Sequence, residues 1–313
     1  MEHQPVLLDR AIELLDVKSD GIYVDATVGG GGHALEIARR LSVSGRLIGI
    51  DLDRDALEIA ATQLKPFSEW VTLIHGNFAE LDRLLDRVGV DRVDGILFDL
   101  GLSSMQLDTP ERGFSFRFDA KLDMRMDPNG NPLTAEEVIN TDSQAELERV
   151  FRESGETRWG KRIAEAIVKT RKTERIETTG QLVETVKSAI PTGYQRNMNI
   201  HPATKIFQAL RIIVNNELTN LRRGIIIGSH CLKVGGVIVV IAYHSLEDRI
   251  VKGIFVEQAS DCICPPEWPV CRCDKEREGE ILTKRPIQPD AEQVACNPRS
   301  RSARLRAIRK LIG

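Results

Sequence analysis

Aromatic residues are scarce: phenylalanine, tyrosine and tryptophan make up 5% of the 313 residues. Any recognition that stacks rings on a ligand must rest on a few positions. A charge excess is missing too. Lys and Arg number 43 against 46 Asp and Glu, a net of −3, so a nucleic-acid-binding face would have to be local. Long apolar runs are also absent. The longest, Val237 to Tyr243, falls far short of the ~20 residues a membrane helix needs. The opening Met1-Glu2-His3-Gln4-Pro5, with Asp9 and Arg10 inside the first apolar patch, lacks the form of a signal peptide. Six cysteines are too few, in so long a chain, for a secreted disulfide scaffold. The expectation is a soluble, cytoplasmic protein. The rest of the composition is ordinary for a globular chain, 42% apolar and 28% charged. At ~150 residues per domain, the length suggests two domains or one with a large insertion.

The first hundred residues alternate strand and helix. Gly21 to Ala26, Gly45 to Asp51, Val71 to Ile74 and Val93 to Leu100 are β-type runs. Between them lie helix-like segments from His33 to Leu41, from Asp55 to Leu64 and around Leu81, Leu84, Leu85 and Val88. This alternation predicts a doubly wound parallel sheet, an α/β fold. From Ser103 to about Pro202 the β pattern stops and helix-like stretches follow, and it resumes at Gly236 to Ala242. The expected layout is a discontinuous α/β domain, 1–103 with 204–313, interrupted by an all-helical insert over 104–203.

A glycine turn, Asp25-Ala26-Thr27-Val28-Gly29-Gly30-Gly31-Gly32-His33, joins the first strand to the first helix. Glycines let backbone turn tightly and approach a ligand. Asp51 ends the second strand and is placed to accept from both ribose hydroxyls of an adenosine. The pattern Gly29-x-Gly31-x-x-Ala34 also fits a permissive dinucleotide fingerprint, which keeps an NAD(P)-dependent oxidoreductase open. Two features favour S-adenosylmethionine: Asp25 precedes the glycines, and His75-Gly76-Asn77-Phe78 follows the third strand, where Phe78 would cover an adenine face. Asp99 ends the fourth strand, on the edge where such sheets hold ligands. His244-Ser245 follows the resumed strand, but without a G-x-S-x-G elbow it does not read as a hydrolase nucleophile. A polar cluster closing the same face fits it better.

Several segments together resemble one family. They are His3 to Leu8, Gly31-Gly32-His33, Asp99 to Asp108, Glu111 to Phe116, Leu122 to Asp127, His201 to Thr204, Phe207 to Ile212, His244 to Arg249 and Asn297 to Ser302. The chain is similar over nearly its whole length to the MraW family of ribosomal RNA small subunit methyltransferases. That resemblance implies a class I, Rossmann-like fold and S-adenosylmethionine-dependent methylation of a cytosine N4 amino group in the decoding region of 16S rRNA. By motif, Gly31, Gly32, His33, Asp51, Phe78, Asp99 and Gln106 would contact the cofactor, and Asp99 and His244 are the catalytic candidates. Phe114 and Phe116 are among the few rings expected near the site. Met105 stands where the family usually has proline, Ala120-Lys121 where it has Gly-Pro, and Ala34 where Ser is common. Attack at cytosine C5 would need a cysteine nucleophile, and no cysteine precedes Cys231. A ribosome-assembly factor that binds RNA without catalysis is the competing non-enzymatic reading.

Two local basic segments would suit the 16S rRNA partner, within the small ribosomal subunit. From Arg158 to Arg175 there are seven Lys/Arg and two Glu. Helical spacing would put Arg158, Arg162, Lys169 and Lys172 on one face and Ile163, Ala166, Ile167 and Thr170 on another. A basic tail from Arg299 to Lys310, with Arg299, Arg301 and Arg304, is the second, suited to phosphates. Finally, Cys262, Cys264, Cys271 and Cys273 flank Pro265 to Pro269. Four thiols so close suggest structural zinc, although C-x-C is tighter than the usual spacing; reduced thiols or a redox-labile pair are the alternatives.

Overall fold

The structure is a computed structural model that describes residues 5–155, 158–195, 200–265 and 270–313. Two sequence motifs, His3-Gln4 and Pro266 to Pro269, lie outside the described residues. The chain divides into two compact units, one of Met1–Gly101 with Leu218–Gly313, the other of Leu102–Glu217.

The first unit opens with α1 (Leu8–Leu15), β1 (Ile22–Asp25), α2 (Gly32–Arg40), β2 (Arg46–Asp51), α3 (Arg54–Leu64), β3 (Val71–His75), α4 (Leu81–Arg87) and β4 (Val93–Asp99). Its sheet order is β3-β2-β1-β4-β5-β7-β6, completed by the later strands β5 (Leu232–Ala242), β6 (Gly279–Ile281) and β7 (Arg304–Lys310). Strands β1 to β5 run parallel, while β7 is antiparallel to both its neighbours. Parallel strands covered on both faces read as unbroken apolar runs. In β4, successive residues Ile96, Leu97 and Phe98 are all fully buried, pointing alternately to the two faces. Ile48, Ile96, Phe98, Ile238 and Val240 form one core with Leu81, Leu84, Ile225 and Phe255. Leu47, Leu97, Val239 and Ile241 form the other with Ile12, Leu15, Ile37 and Ala60. This is the expected Rossmann-like sheet. Its order reverses between β1 and β4, which opens the ligand crevice of doubly wound folds at the carboxyl ends of those strands.

The segment expected to be a basic tail is strand β7, between β5 and β6. Leu305, Ala307 and Ile308 are buried. Arg306 points inward and is neutralised by Asp248, with Nε donating at 2.6 Å, while Arg304 donates to the same carboxylate at 3.0 Å. Burial would push the Asp248 carboxyl up, but these two arginines outweigh it and hold its pKa below the ordinary value. Arg304 is thus a structural ion-pair partner; Arg299 and Arg301, in the turn before the strand, stay exposed. Asp248 lies on α13 (Ser245–Gln258), which with α12 (Glu217–Cys231) and α14 (Ala291–Cys296) completes the α-helices of this unit among the described residues.

The second unit is helical: α5 (Ser104–Asp108), α6 (Ala135–Thr141), α7 (Gln144–Glu153), α8 (Gly160–Thr170), α9 (Thr179–Ala189), α10 (Thr192–Gln195) and α11 (Thr204–Val214). Leu122, Ile139, Leu147, Phe151, Ile163, Leu182 and Leu210 build its core. Because α11 buries Ile206, Phe207 and Leu210 in that core, the unit runs past 203 to Glu217. Phe114 is also buried in it, and Phe116 packs edge-on against Phe207 at 4.9 Å, so both rings serve this core. The Leu122 to Asp127 motif holds a strained loop. Met124 sits at φ 64°, and the Asn215 side chain clamps it by accepting from Met126 N and donating to Met124 O, each at 2.8 Å. Helix α8 is shorter than the basic pattern suggested. Arg158 and Lys172 fall in the turns before and after it; of the four, Arg162 and Lys169 share its exposed face, with Glu165 between them. Among the described residues, no helix is long and apolar enough to cross a membrane.

Candidate active site

The glycine turn after β1 is built from inside the first unit. Gly29 and Gly31 adopt φ of 52° and 91°, a region other residues enter at a cost. A side chain at Gly31 would also come within 3.1 Å of Gln63 Oε1. Gly32 is required differently, since a Cβ there would overlap Pro5 Cγ at 2.4 Å. The N-terminal segment therefore lies directly on the turn, which explains why Pro5-Val6 and Gly31-Gly32-His33 belong to one pattern.

Asp51 ends β2 and accepts N–H bonds from Gly29 at 2.7 Å and Asp53 at 2.9 Å. Burial pushes its carboxyl up to about 6, with those amides pulling the other way. The loop and the carboxylate are thus fastened to each other, so a polyol held at Asp51 would lie beside the glycine backbone. The residues fit an adenosine-bearing cofactor. Phe78, after β3, is half-buried and packs edge-on against Phe98 at 5.5 Å. Gly224 of α12 admits it, because a Cβ there would meet the Phe78 ring at 2.6 Å.

A second polar network joins the ends of β1, β4 and β5. His33 is buried; its Nε2 lies 3.2 Å from the Val6 carbonyl and its Nδ1 3.3 Å from Asp99 Oδ2. Both ring nitrogens face acceptors, so the doubly protonated ring satisfies both. Burial opposes that charge, but Asp99 above all, then Asp25 and the Val6 carbonyl, outweigh it and raise the His33 pKa. Asp25, fully buried at the end of β1, is pushed up to about 7 by burial, opposed mainly by the charge of His33. The Tyr243 hydroxyl donates to Asp99 Oδ1 at 2.8 Å, and burial plus the Asp99 charge keep it protonated. The Asp99 backbone N–H donates to the Thr27 hydroxyl at 2.7 Å. Gly101 follows at φ 106°, where a side chain would press on the Tyr243 ring. Each Asp99 oxygen therefore takes one donor, and the carboxylate keeps further lone-pair directions for an amino group.

His244 starts α13 as its cap. Its Nδ1 accepts from Glu247 N at 3.4 Å, and its Nε2 lies 3.0 Å from Glu247 Oε1. The other Glu247 oxygen accepts from Tyr243 N at 2.8 Å and His244 N at 3.2 Å. His244 thus helps to set the turn that carries Tyr243.

A profile of the MraW methylase family matches residues 1–311. The chain belongs to the MraW methylase family. Among curated relatives, "Ribosomal RNA small subunit methyltransferase H" of Symbiobacterium thermophilum is 51% identical over 99% of this chain and 96% of that protein. The proteins of the same name from Clostridioides difficile and Halothermothrix orenii are each 48% identical, over 99% and 100% of this chain and 99% of each relative. As a member of this family the chain is an S-adenosylmethionine-dependent methyltransferase.

Of the residues expected to hold that cofactor, the first unit brings together Gly31, Gly32, His33, Asp51, Phe78 and Asp99, at or just beyond the carboxyl ends of β1 to β4. Gln106 lies in the second unit, buried, where its side chain accepts from Ser103 N at 3.1 Å and so caps α5. Thr27, Tyr243 and Glu247 were not singled out by sequence. The one available signal was position, since Tyr243 sits between the resumed strand and the His244 motif.

Proposed function

We propose that this methyltransferase moves a methyl group from S-adenosylmethionine to the N4 amino group of a cytosine in the decoding region of 16S rRNA, in the cytoplasm. The Asp99 carboxylate, fixed by Tyr243 and His33 at the end of β4, is the observation that carries this reading. Bound S-adenosylmethionine would supply an electrophilic methyl on its sulfonium. Asp51 would hold the ribose hydroxyls, the Gly29 to Gly32 backbone would lie against the cofactor, and Phe78 would face the adenine.

Cytosine N4 is a weak nucleophile because its lone pair is delocalised into the ring, so alignment dominates the barrier. Asp99 would accept an N4–H bond, turn the amino group toward the methyl and balance the positive charge that develops on nitrogen. The departing N4 proton leaves through that same hydrogen bond. His244 would act through the turn that positions Tyr243. The helical unit would be the RNA-recognition element, with Arg162 and Lys169 on α8, Arg158 and Lys172 beside it, and Arg299 and Arg301 on the first unit contacting phosphates. Support for the RNA substrate comes from the names of the relatives.

The test is transfer of labelled methyl to small-subunit RNA, followed by nucleoside mapping. Label as N4-methylcytidine in the decoding region is expected. Label at another atom, or no transfer to naked RNA and assembled subunits alike, overturns the proposal.

A further inference from the structure

The stretch from Ala259 to Glu278, between α13 and β6, contains no helix or strand among its described residues. Loops of that length without internal structure are uncommon in compact domains unless something closes them. At the base, Glu278 N donates to Gln258 O at 2.9 Å. Farther out, Cys262, Cys264, Cys271 and Cys273 converge, with all four sulfurs within 4.8 Å of one another. Three of the edges are 3.4 Å (Cys262 to Cys271), 3.5 Å (Cys271 to Cys273) and 3.8 Å (Cys262 to Cys273). A tetrahedral zinc thiolate with Zn–S of ~2.3 Å has sulfur edges of about 3.8 Å.

We infer that these four thiolates bind one structural Zn²⁺ ion. Two disulfides would need the sulfurs only in pairs, and nothing in such pairing draws all four to one point. The surrounding backbone also suits thiolates rather than thiols. Ile263 N points at Cys273 Sγ (3.4 Å), Cys264 N at Cys262 Sγ (3.4 Å) and Arg272 N at Cys264 Sγ (3.3 Å). N–H donors aimed at sulfur are the outer shell that orients ligands and offsets their charge. The short C-x-C spacing fits this arrangement, because each pair offers both sulfurs to one centre while the amide between or beside them turns to a sulfur of the cluster. Binding would tie the two arms of the loop together above the Gln258–Glu278 contact. The remaining cysteines are elsewhere, Cys231 buried and Cys296 exposed.

The experiment is elemental analysis of the full-length protein, purified without added metal or chelator, together with thiol titration by an aromatic disulfide reagent before and after metal displacement by a strong chelator. About one zinc per chain, with four thiols becoming reactive only on displacement, is expected. The Cys231→Ser/Cys296→Ser double variant should keep that zinc and Cys271→Ser should lose most of it, while cofactor affinity by calorimetry stays within twofold in both. Metal-free protein with four reactive thiols or with disulfides overturns the inference, and so does stoichiometric iron. The wild-type measurement decides the matter even if Cys271→Ser does not fold.

Discussion

Replacing Asp51 by asparagine separates the charge of this side chain from its shape. The carboxyl titrates at about 6 rather than its ordinary 3.8. At about 1.36 kcal/mol per pH unit, carrying that charge costs the folded protein about 3 kcal/mol. The pKa is raised, so the folded state holds its proton where the unfolded chain has released it, and stability falls as pH climbs from about 4 through 6. A ligand whose two hydroxyls donate to the carboxylate favours the charged form. Cofactor affinity should therefore rise roughly tenfold between pH 5 and 7, as the ionised fraction goes from about a tenth to nearly all. Asparagine keeps one acceptor oxygen, while its N–H₂ can donate to a ribose hydroxyl but no longer accepts from the backbone N–H of Gly29 or Asp53 that it faces. It forfeits one charge-assisted hydrogen bond, about 1.5–3 kcal/mol, which is about 10- to 150-fold in Kd at pH 7. At pH 5 the gap should narrow to within about tenfold, because the wild-type carboxyl is itself mostly neutral there. Asp25, pushed up to about 7 by burial with a smaller contribution from the Asp51 charge, is present in both proteins and titrates lower in the variant. Calorimetric titration with S-adenosylmethionine at pH 5, 6 and 7 reads this out. Parallel pH profiles for the two proteins, or equal affinity at pH 7, would refute the reasoning.

Other outcomes are expected elsewhere in the molecule. Gly31→Ala must place a Cβ at φ 91°, 3.1 Å from Gln63 Oε1; a loss of about 1–2 kcal/mol in urea unfolding should follow, with weaker cofactor binding. Tyr243→Phe removes the 2.8 Å donor to Asp99, and single-turnover methylation should slow about tenfold or more while the cofactor Kd moves less than twofold. Arg306→Met leaves buried Asp248 with Arg304 alone, so stability at pH 7 should drop by up to about 3 kcal/mol. Because the Asp248 pKa is depressed, its contribution is present above its unfolded value of 3.8 and is lost as pH falls through the folded one, so the penalty should shrink in acid. By contrast, Arg301→Ala should leave melting unchanged and lower the salt slope of RNA binding by about 0.7–0.9 for the one phosphate that is no longer neutralised.

The parallel half of the sheet was legible because strands buried on both faces must be apolar throughout, and the acids Asp25, Asp51 and Asp99 end three of them. Strand β7 was not. Its alternation Arg304-Leu305-Arg306-Ala307 resembles a basic tail until Asp248, far away in sequence, neutralises the inward arginine. The same distance hid the Tyr243–Asp99 bond, whose partners are 144 positions apart. Helical spacing alone placed Arg158 and Lys172 on α8, but Trp159 precedes its first turn and Thr170 ends it, so the outer two fall into turns. The cysteine cluster was visible as spacing; its convergence on one point was not.

The pairing of β4 with β5 has a consequence during synthesis. Strand β4 can lie beside β1 as soon as it leaves the ribosome, but its other edge has no neighbour until β5 has been translated. Roughly 130 residues separate the two, about 7–26 s at ~5–20 residues per second. For that interval a strand edge of unpaired N–H and C=O groups, carrying the apolar run Ile96-Leu97-Phe98, stands open in a half-built sheet, the kind of surface that seeds aggregation. The helical unit, emerging in the same interval with a core of its own, can collapse while β4 waits. The order of the chain thus makes a nascent intermediate unavoidable, and demand for a chaperone should peak between the appearance of β4 and that of β5.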